Sequence, residues 1–193
     1  MAGVAGPMLG RSRSQGTRFL TGLLAGGLIA SAVLATVFFG IGEPLSWILP
    51  RTAARIAAGV LLLLAGIADL ANRTPHIWRQ VPQALLRRLS PGRLGLAWGF
   101  DLSLLFTTQK STSLTWSALT LVTLLEPGAS WAALPAMTVI GVLTITLRSV
   151  TWRWVKPNDL GDRKRPWFGP MRRAAGLAQV VLGVLIATGV LTP

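Results

Sequence analysis

The sequence predicts an all-α fold, a polytopic transmembrane helical bundle of about five spans with its N-terminus inside and its C-terminus outside. Two observations predict this fold class. Half of the 193 residues are hydrophobic and only 13% are charged, whereas a soluble domain carries about a quarter charged residues. The apolar residues also form runs long enough to cross a bilayer core of about 30 Å, and most basic residues lie between these runs.

The first predicted span covers about residues 19–41. Gly22, Gly26 and Ala30 lie at four-residue intervals within it, and small residues with this spacing allow another helix to approach closely. A cleaved signal peptide is the alternative interpretation, because an arginine-containing start is followed by an apolar run. The run continues beyond the usual length of a signal-peptide core, which favours a membrane span.

The second predicted span covers about residues 52–70. Asp69 lies at its end, and Arg73, four residues later, is its predicted ion-pair partner on the same helix face. Residues 51–70 also align without gaps on residues 172–191, with eight of twenty positions identical. The predicted topology gives the two segments opposite directions, as in the inverted repeats that are common in transporters.

The third predicted span, Leu94–Glu126, is the most informative part of the sequence. As one helix its thirty-three residues would be about 50 Å long, whereas the hydrocarbon core needs only about twenty residues. The segment is therefore either a long tilted helix or a helix broken near 107–111. Its polar side chains fall on two opposite helix faces, so neither face can contact lipid and the segment belongs at the centre of the bundle.

These polar side chains are the predicted substrate-binding residues. An ionisable side chain inside a membrane is a candidate functional group. The alternative is that it lies near the head groups or in a water-filled cavity and has no functional role. The predicted set combines one acid and one base with hydroxyl groups: Asp101, Ser103, Thr107, Thr108, Lys110, Ser113 and Ser117.

The last two predicted spans cover about residues 131–147 and 174–191. Orientation follows from the loops, because cytoplasmic loops carry an excess of Lys and Arg. With the tail 1–17 inside, sixteen of the nineteen basic residues lie on the inner side, mostly in the loops 73–93 and 148–173. Residues 18–193 are therefore predicted to form one membrane domain in the cell membrane (the inner or plasma membrane).

Three short motifs resemble actinobacterial multi-spanning membrane proteins distantly related to the cytochrome c biogenesis and thiol-relay proteins and to sulfite-exporter-like transporters. They are WRQV at 78–81, Gly95 with Trp98-Gly99-Phe100, and FTTQKSTSLTW at 106–116. The resemblance implies a compact helical bundle with a discontinuous polar span at its centre. The relay members use paired cysteines, and because this chain has no cysteine it does not fit thiol electron transfer.

The residue inventory limits the function further. The absence of cysteine and the presence of a single histidine, His76, leave no zinc site of the usual kind, and no nucleophile or paired acids mark an enzyme. No catalytic residue, metal or cofactor is therefore predicted. The net charge of +13 is explained by basic loops that orient the chain in the membrane and contact anionic lipid head groups. Nucleic-acid binding is not predicted.

The sequence favours two functions over a third, a membrane enzyme, for which it shows no recognisable nucleophile, metal cluster or paired acids. The first is a transporter or permease-like protein that moves a small solute, an anion among the candidates, past Lys110 and the hydroxyl groups. The second is a non-catalytic accessory or structural subunit of a membrane complex, in which the polar span packs against a partner protein. The predicted partners are the lipid bilayer and either a membrane protein or a second copy of the chain.

Overall fold

The computed structural model describes residues 12–74, 88–104, 112–151 and 168–190. In these residues the predicted all-α fold is confirmed. The elements are α1 (Arg13–Ile48), α2 (Arg51–Leu70), α3 (Pro91–Ser103), α4 (Leu114–Leu124), a 3₁₀ turn (Pro127–Ala129), α5 (Ser130–Thr151) and α6 (Phe168–Ala187).

In the part of the chain that the structure describes, four helical segments are long and apolar enough to cross a membrane: Arg13–Ile48, Arg51–Leu70, Pro127–Leu147 and Gly169–Ala187. In contrast, the third predicted span contains two shorter helices. Helix α3 has 13 residues and α4 has 11, or about 20 and 16 Å at 1.5 Å per residue, so each is shorter than the bilayer core. The predicted break at 107–111 lies outside the described residues.

The exposed surface of the long helices is apolar, as lipid contact requires. On α5, Ile140, Leu143 and Leu147 are all more than half exposed, and their spacing places them on one helix face. In water such a continuous apolar surface would be unusual for a monomeric protein. The described helices therefore fit a lipid environment rather than an aqueous one.

The chain forms two compact units. The described residues of the first unit are 12–34, 88–104 and 134–151, and those of the second unit are 35–74, 112–133 and 168–190. Helices α1 and α5 contribute residues to both units.

In the first unit, α1 and α3 are in close contact through glycines. A Cβ at Gly26 would overlap the carbonyl oxygen of Leu96, and a Cβ at Gly99 would overlap that of Leu23. Residues later in α1 contact residues later in α3, because Gly22 meets Gly92 whereas Gly26 meets Phe100. The two helices are therefore parallel, as the five-span order requires of the first and third spans. This is the packing that the Gly-x-x-x-Gly spacing of small residues allows.

Large side chains fill the space beside these glycines. Phe19, Leu23, Leu94 and Trp98 form a buried core, in which the Phe19 and Trp98 rings meet edge to face with centroids 6.0 Å apart and an interplanar angle of 83°. This arrangement is the favoured one for aromatic pairs. The small and large residues thus alternate so that backbone contact and side-chain packing occur in the same interface.

In the second unit, α2 and α6 form an antiparallel pair that is also built on glycines. A Cβ at Gly59 would lie 2.7 Å from the Gly183 carbonyl oxygen, and one at Gly183 would lie 2.8 Å from the Gly59 carbonyl oxygen. Gly66 and Gly176 have the same reciprocal relation, at 2.7 and 2.9 Å. The contacts are therefore those of a pseudo-two-fold axis that exchanges the two helices.

This axis corrects the register of the repeat predicted from the sequence. The axis exchanges Gly59 with Gly176 and Gly66 with Gly183. Residue 51 is therefore equivalent to residue 168 in the repeat rather than to residue 172. In this register both helices share the pattern Arg-x-Ala-Ala-Gly followed by glycine seven residues later. The alignment over 172–191 had more identities because alanine and leucine are abundant in both helices, whereas backbone contact depends on the glycine positions.

Helix α4 packs against this antiparallel pair. Its C-terminal leucines, Leu121 and Leu124, lie against the buried cluster of Ala58, Leu62 and Ile186. The N-terminal end of α4 meets a different surface, in which polar side chains of α2 and α6 come together. That polar end is the candidate functional site.

Candidate functional site

The structure describes four of the seven predicted site residues and places them in different units. Asp101 and Ser103 are on α3 in the first unit, and Ser113 and Ser117 are at the start of α4 in the second. The other three, Thr107, Thr108 and Lys110, lie outside the described residues. The grouping of all seven into one site therefore stays a prediction.

The two α3 residues have modest polar surroundings. Asp101 is half-buried, and the Ser103 hydroxyl accepts a hydrogen bond of 3.4 Å from the Thr138 hydroxyl of α5. The Ser103 hydroxyl oxygen would lie 2.9 Å from a Cβ at Gly27. This part of the first unit is thus a close helix contact that includes hydroxyl groups.

The two α4 residues belong to a buried cluster around a carboxylate that the sequence did not predict as part of the site. Asp69, near the end of α2, has 1% of its surface exposed. Its Oδ1 accepts hydrogen bonds from the Thr74 hydroxyl at 2.7 Å and the Ser113 hydroxyl at 2.8 Å. Its Oδ2 accepts from the Ser113 backbone N–H at 2.7 Å and from Gln179 Nε2 at 3.0 Å.

Gln179 extends the cluster from α2 to the middle of α6. Its Nε2 donates to Asp69 and also to the Ala175 carbonyl at 3.2 Å, while its Oε1 accepts a short hydrogen bond from the Ser117 hydroxyl. Both Gln179 and Ser117 are buried. One amide side chain therefore joins the carboxylate on α2 to the first turn of α4.

The Asp69 carboxylate occupies the N-terminal end of α4. Ser113 is the residue that precedes this helix, and it has no cap from its own side chain. Its backbone N–H and its hydroxyl both donate to Asp69 instead. A negative charge at this end is stabilised by the helix dipole and by an otherwise unsatisfied N–H group. Asp69 thus caps a helix through Ser113, which lies 44 residues later in the chain.

The predicted pair of Asp69 with Arg73 was wrong. Helix α2 ends at Leu70, and Asn72 adopts a left-handed conformation with φ of 60°. The Arg73 N–H bonds the Ala68 carbonyl and the Asn72 N–H bonds the Asp69 carbonyl, the pattern of a Schellman motif. Because the helix does not continue to Arg73, that side chain is exposed while the Asp69 carboxylate stays buried.

Three residues of the cluster were missed by sequence reasoning: Asp69 as a buried acceptor, Thr74 and Gln179. A usable signal existed for Gln179, because it is the one polar side chain between Ala174 and Ala187. An isolated amide in an apolar span needs a partner in the protein, since lipid provides none. No comparable signal marked Thr74, which lies in the turn after α2.

The cluster is an arrangement of hydrogen-bond donors around one carboxylate. Charged carboxylate oxygens accept about four hydrogen bonds, and four donors are present. Across residues 12–74, 88–104, 112–151 and 168–190, no group of three or more His, Asp or Glu side chains could hold a metal ion. The donors that surround Asp69 are hydroxyl, amide and backbone groups.

Removing the Ser117 hydroxyl tests whether the cluster contributes to stability. We expect Ser117→Ala to lower the free energy of unfolding by about 1–2 kcal/mol, because the buried Gln179 Oε1 loses its donor. The matched control is Ser46→Ala, whose exposed hydroxyl bonds only the Glu43 carbonyl of its own helix and whose loss should change stability by less than about 0.5 kcal/mol. The measurement is unfolding of the purified protein in detergent micelles, and equal effects of both substitutions would contradict the arrangement.

The membrane-length apolar helices define the class to which the chain belongs, an integral membrane protein that contacts the lipid bilayer. Comparison of the chain with protein-family models, with curated proteins and with solved structures finds no match.

Proposed function

We propose that this protein is a membrane transporter of the permease type, which moves a small polar solute through the region where α4 begins. One observation carries the proposal. A short helix begins inside the second unit, and its first turn meets a buried carboxylate and amide between two membrane-length helices. In many transporters the substrate or coupling-ion site is formed by such a discontinuous helix.

The symmetry of the second unit supports the same proposal. Transporter sites commonly lie at the interface of inverted repeats near the bilayer midplane. Helices α2 and α6 are antiparallel and are exchanged by a pseudo-two-fold axis, and Gln179 lies near the middle of α6, between Gly176 and Gly183. The polar cluster therefore begins close to the centre of a repeated helix pair.

The charge of the solute is proposed from Lys110. A cation inside a membrane attracts an anion, and the ends of broken helices add hydrogen-bonding groups. We therefore propose a small anion as the solute, in the cell membrane, with the basic loops on the cytoplasmic side at anionic lipid head groups. The resemblance to sulfite-exporter-like transporters over about residues 76–150 is in keeping with this proposal.

Transport is tested by reconstituting the purified protein into liposomes and measuring uptake of a panel of inorganic anions, small carboxylates, neutral sugars and amino acids. We expect uptake of at least one anion, and we expect Lys110→Met to lower it by about tenfold or more, as for the loss of one interaction of about 1.4 kcal/mol. The matched control, Lys164→Met in the predicted basic loop, should leave uptake unchanged. Absence of flux across the whole panel would count against a transporter.

A second function is favoured by the completeness of the Asp69 hydrogen bonds. The carboxylate accepts four hydrogen bonds, two at each oxygen, as expected when a polar cluster serves packing alone. In that case the protein would be an accessory subunit of a membrane complex. Extraction in a mild detergent after chemical crosslinking distinguishes the two, because a subunit should purify with another protein in a fixed ratio, whereas a transporter should purify alone or as a homo-oligomer.

A further inference from the structure

Helix α1 ends in a turn that projects beyond its packing contacts. Gly42 is buried, and a Cβ there would lie 2.6 Å from the Thr123 carbonyl oxygen. About one turn later Ser46, Trp47 and Ile48 are all exposed. Trp47 and Ile48, at 81% and 76%, are the most exposed large hydrophobic residues among those that the structure describes. The described residues leave both side chains uncovered, so another environment must accommodate them.

This exposed end continues the lipid-facing surface of α1. Val37 and Ile41 are about half exposed, and Ile48 follows Ile41 by about two turns on the same helix face. From Phe19 to Ile41 the helix is about 33 Å long, which already crosses a hydrocarbon core of about 30 Å. Trp47 lies about 9 Å farther along the helix axis, which places it at the level of the lipid head groups.

A second tryptophan lies at the same end of the second unit. Trp131 is about half exposed in the first turn of α5. Pro127, in the turn just before α5, adjoins α1, because a Cβ at Gly42 would lie 2.9 Å from Pro127 Cγ. Tryptophans on two helices therefore border the same contact. Tryptophan is enriched at membrane–water interfaces because its ring is apolar and its N–H is polar.

Two arginines follow Trp47 and are an exception to the predicted charge distribution. Sixteen of the nineteen basic residues lie on the predicted inner side, and Arg51 and Arg55 are two of the other three. Arg51 is exposed at the start of α2, and Arg55 Nη2 donates to the Thr52 hydroxyl at 3.5 Å. Guanidinium groups bind phosphate oxygens with paired N–H donors. A surface that carries phosphate groups is therefore a suitable partner for these arginines.

Acidic residues at this end of the second unit fit a zwitterionic partner. Glu43 is half-buried one turn before Trp47, and the exposed Glu126 precedes Pro127. Two arginines and two glutamates leave no net charge, and a zwitterionic phospholipid offers a phosphate and an ammonium group to match them. The core of a protein–protein interface, in contrast, is depleted of charged residues. The charges therefore favour lipid head groups over a partner protein.

We propose that this protein has an interfacial anchor that contacts zwitterionic phospholipid head groups. The anchor consists of Trp47, Ile48, Arg51 and Trp131, with a lipid phosphate at Arg51 and the tryptophan rings at the border of the hydrocarbon core. The predicted orientation makes this the outer leaflet. The anchor does not rest on the proposed transport function.

The anchor sets the depth of the polar cluster in the bilayer. Gly66 of α2 meets Gly176 of α6. Because these helices are antiparallel, Gln179, three residues after Gly176, lies level with Leu63, three residues before Gly66. Leu63 is about 18 Å along α2 from Arg51. Half the thickness of a bilayer with its head groups is about 20–22 Å, so an anchor at Arg51 places Gln179 near the bilayer midplane.

Nitroxide quenching tests the depth of the anchor, because a single cysteine can be labelled in a chain that has none. Ile48→Cys carries an NBD fluorophore in liposomes of phosphatidylethanolamine and phosphatidylcholine, with a nitroxide on the lipid head group or near the end of the acyl chain. We expect the head-group nitroxide to quench at least about twice as strongly, because the two nitroxides differ in depth by about 15 Å. The reference is Leu61→Cys, exposed on α2 about 15 Å from Arg51, for which the order should reverse.

Three outcomes would overturn the anchor. Stronger quenching of the Ile48 probe by the chain-end nitroxide would place it in the hydrocarbon core. Quenching by iodide alone would place it in water. Shielding from both nitroxides and from iodide would show that protein covers the end of α1.

Charge at residue 51 tests the phosphate contact. Arg51→Glu should raise iodide quenching of the Ile48 probe about twofold or more, because a carboxylate is repelled by the lipid phosphate. Arg51→Lys keeps the positive charge and should leave the quenching unchanged. Equal quenching in the two variants would contradict a phosphate contact at Arg51.

The leaflet and the transport function are tested apart from the anchor. In intact cells a membrane-impermeant maleimide should react with Ile48→Cys, and reaction only after permeabilisation would overturn the assignment to the outer leaflet. A probe at head-group depth in a protein that takes up no panel solute would retain the anchor and remove the transporter. Uptake by a protein whose probe is shielded from lipid would retain the transporter and remove the anchor.

Discussion

Replacing Asp69 with alanine is expected to destabilise the protein by about 3 kcal/mol or more, because it removes the acceptor of four buried hydrogen bonds at once. A buried donor left unsatisfied costs about 1–3 kcal/mol. The Thr74 and Ser113 hydroxyls can turn toward other acceptors, but the Ser113 backbone N–H and one Gln179 N–H cannot do so without moving the helices. The stabilising charge at the N-terminal end of α4 is lost in addition.

The measurement is the free energy of unfolding in mixed micelles, with hydrogen exchange at 112–117 to locate the effect. Glu126→Ala is the control, because it removes an exposed carboxylate and should change stability by less than about 0.5 kcal/mol. If Asp69→Ala left both the unfolding free energy and the exchange at the start of α4 unchanged, the carboxylate would not be the cap of that helix.

Replacing Gly26 with alanine is expected to separate α1 from α3 and to destabilise the first unit by about 3 kcal/mol, the upper part of the range for overpacking. The added Cβ would meet the carbonyl carbon of Leu96 at 2.8 Å and the Phe100 backbone nitrogen at 2.9 Å, in addition to overlapping the Leu96 oxygen. Backbone atoms cannot move aside as the end of a flexible side chain can. The helices must therefore move apart and lose the contacts of Phe19 and Trp98.

Gly40→Ala is the matched control within the same helix. Apart from the adjacent backbone of its own helix, no atom lies within 4 Å of a Cβ at Gly40, so the change should be neutral or should stabilise α1 by up to about 1 kcal/mol through helix propensity. Thermal unfolding of both variants in detergent, followed by near-ultraviolet circular dichroism of the tryptophans, gives the comparison. Equal thermal stability of the two variants would rule out close backbone contact at Gly26.

Much of the fold could be predicted from the sequence because membrane spans are a local property. A run of about twenty apolar residues is long enough to cross a bilayer wherever its neighbours lie, and α2 and α6 illustrate this. The small residues Gly22 and Gly26 also marked one face of the first span. The structure shows that their partner is the face of α3 that carries Gly95 and Gly99. The spacing of small residues in one span does not by itself show which other helix packs against it.

The candidate site was predictable in part. The hydroxyl groups of Ser113 and Ser117 were predicted as site residues from the two polar faces of the third predicted span, and the structure places both in the buried cluster. Asp69 was placed at the head groups because its nearest basic residue is four positions away. The left-handed Asn72, which ends the helix and directs Arg73 outward, is a detail of backbone conformation that the charge pattern does not contain.

The sequence by itself determined that this is a helical membrane protein, which segments are apolar enough to span, and which polar groups they contain. These properties depend on composition over one or two dozen neighbouring residues. Only the tertiary structure decided which of those groups meet, because Asp69 finds Ser113 and Gln179 at separations of 44 and 110 residues. The physical reason is that hydrogen bonds and backbone contacts require ångström-scale placement, which the register of α2 against α6 sets.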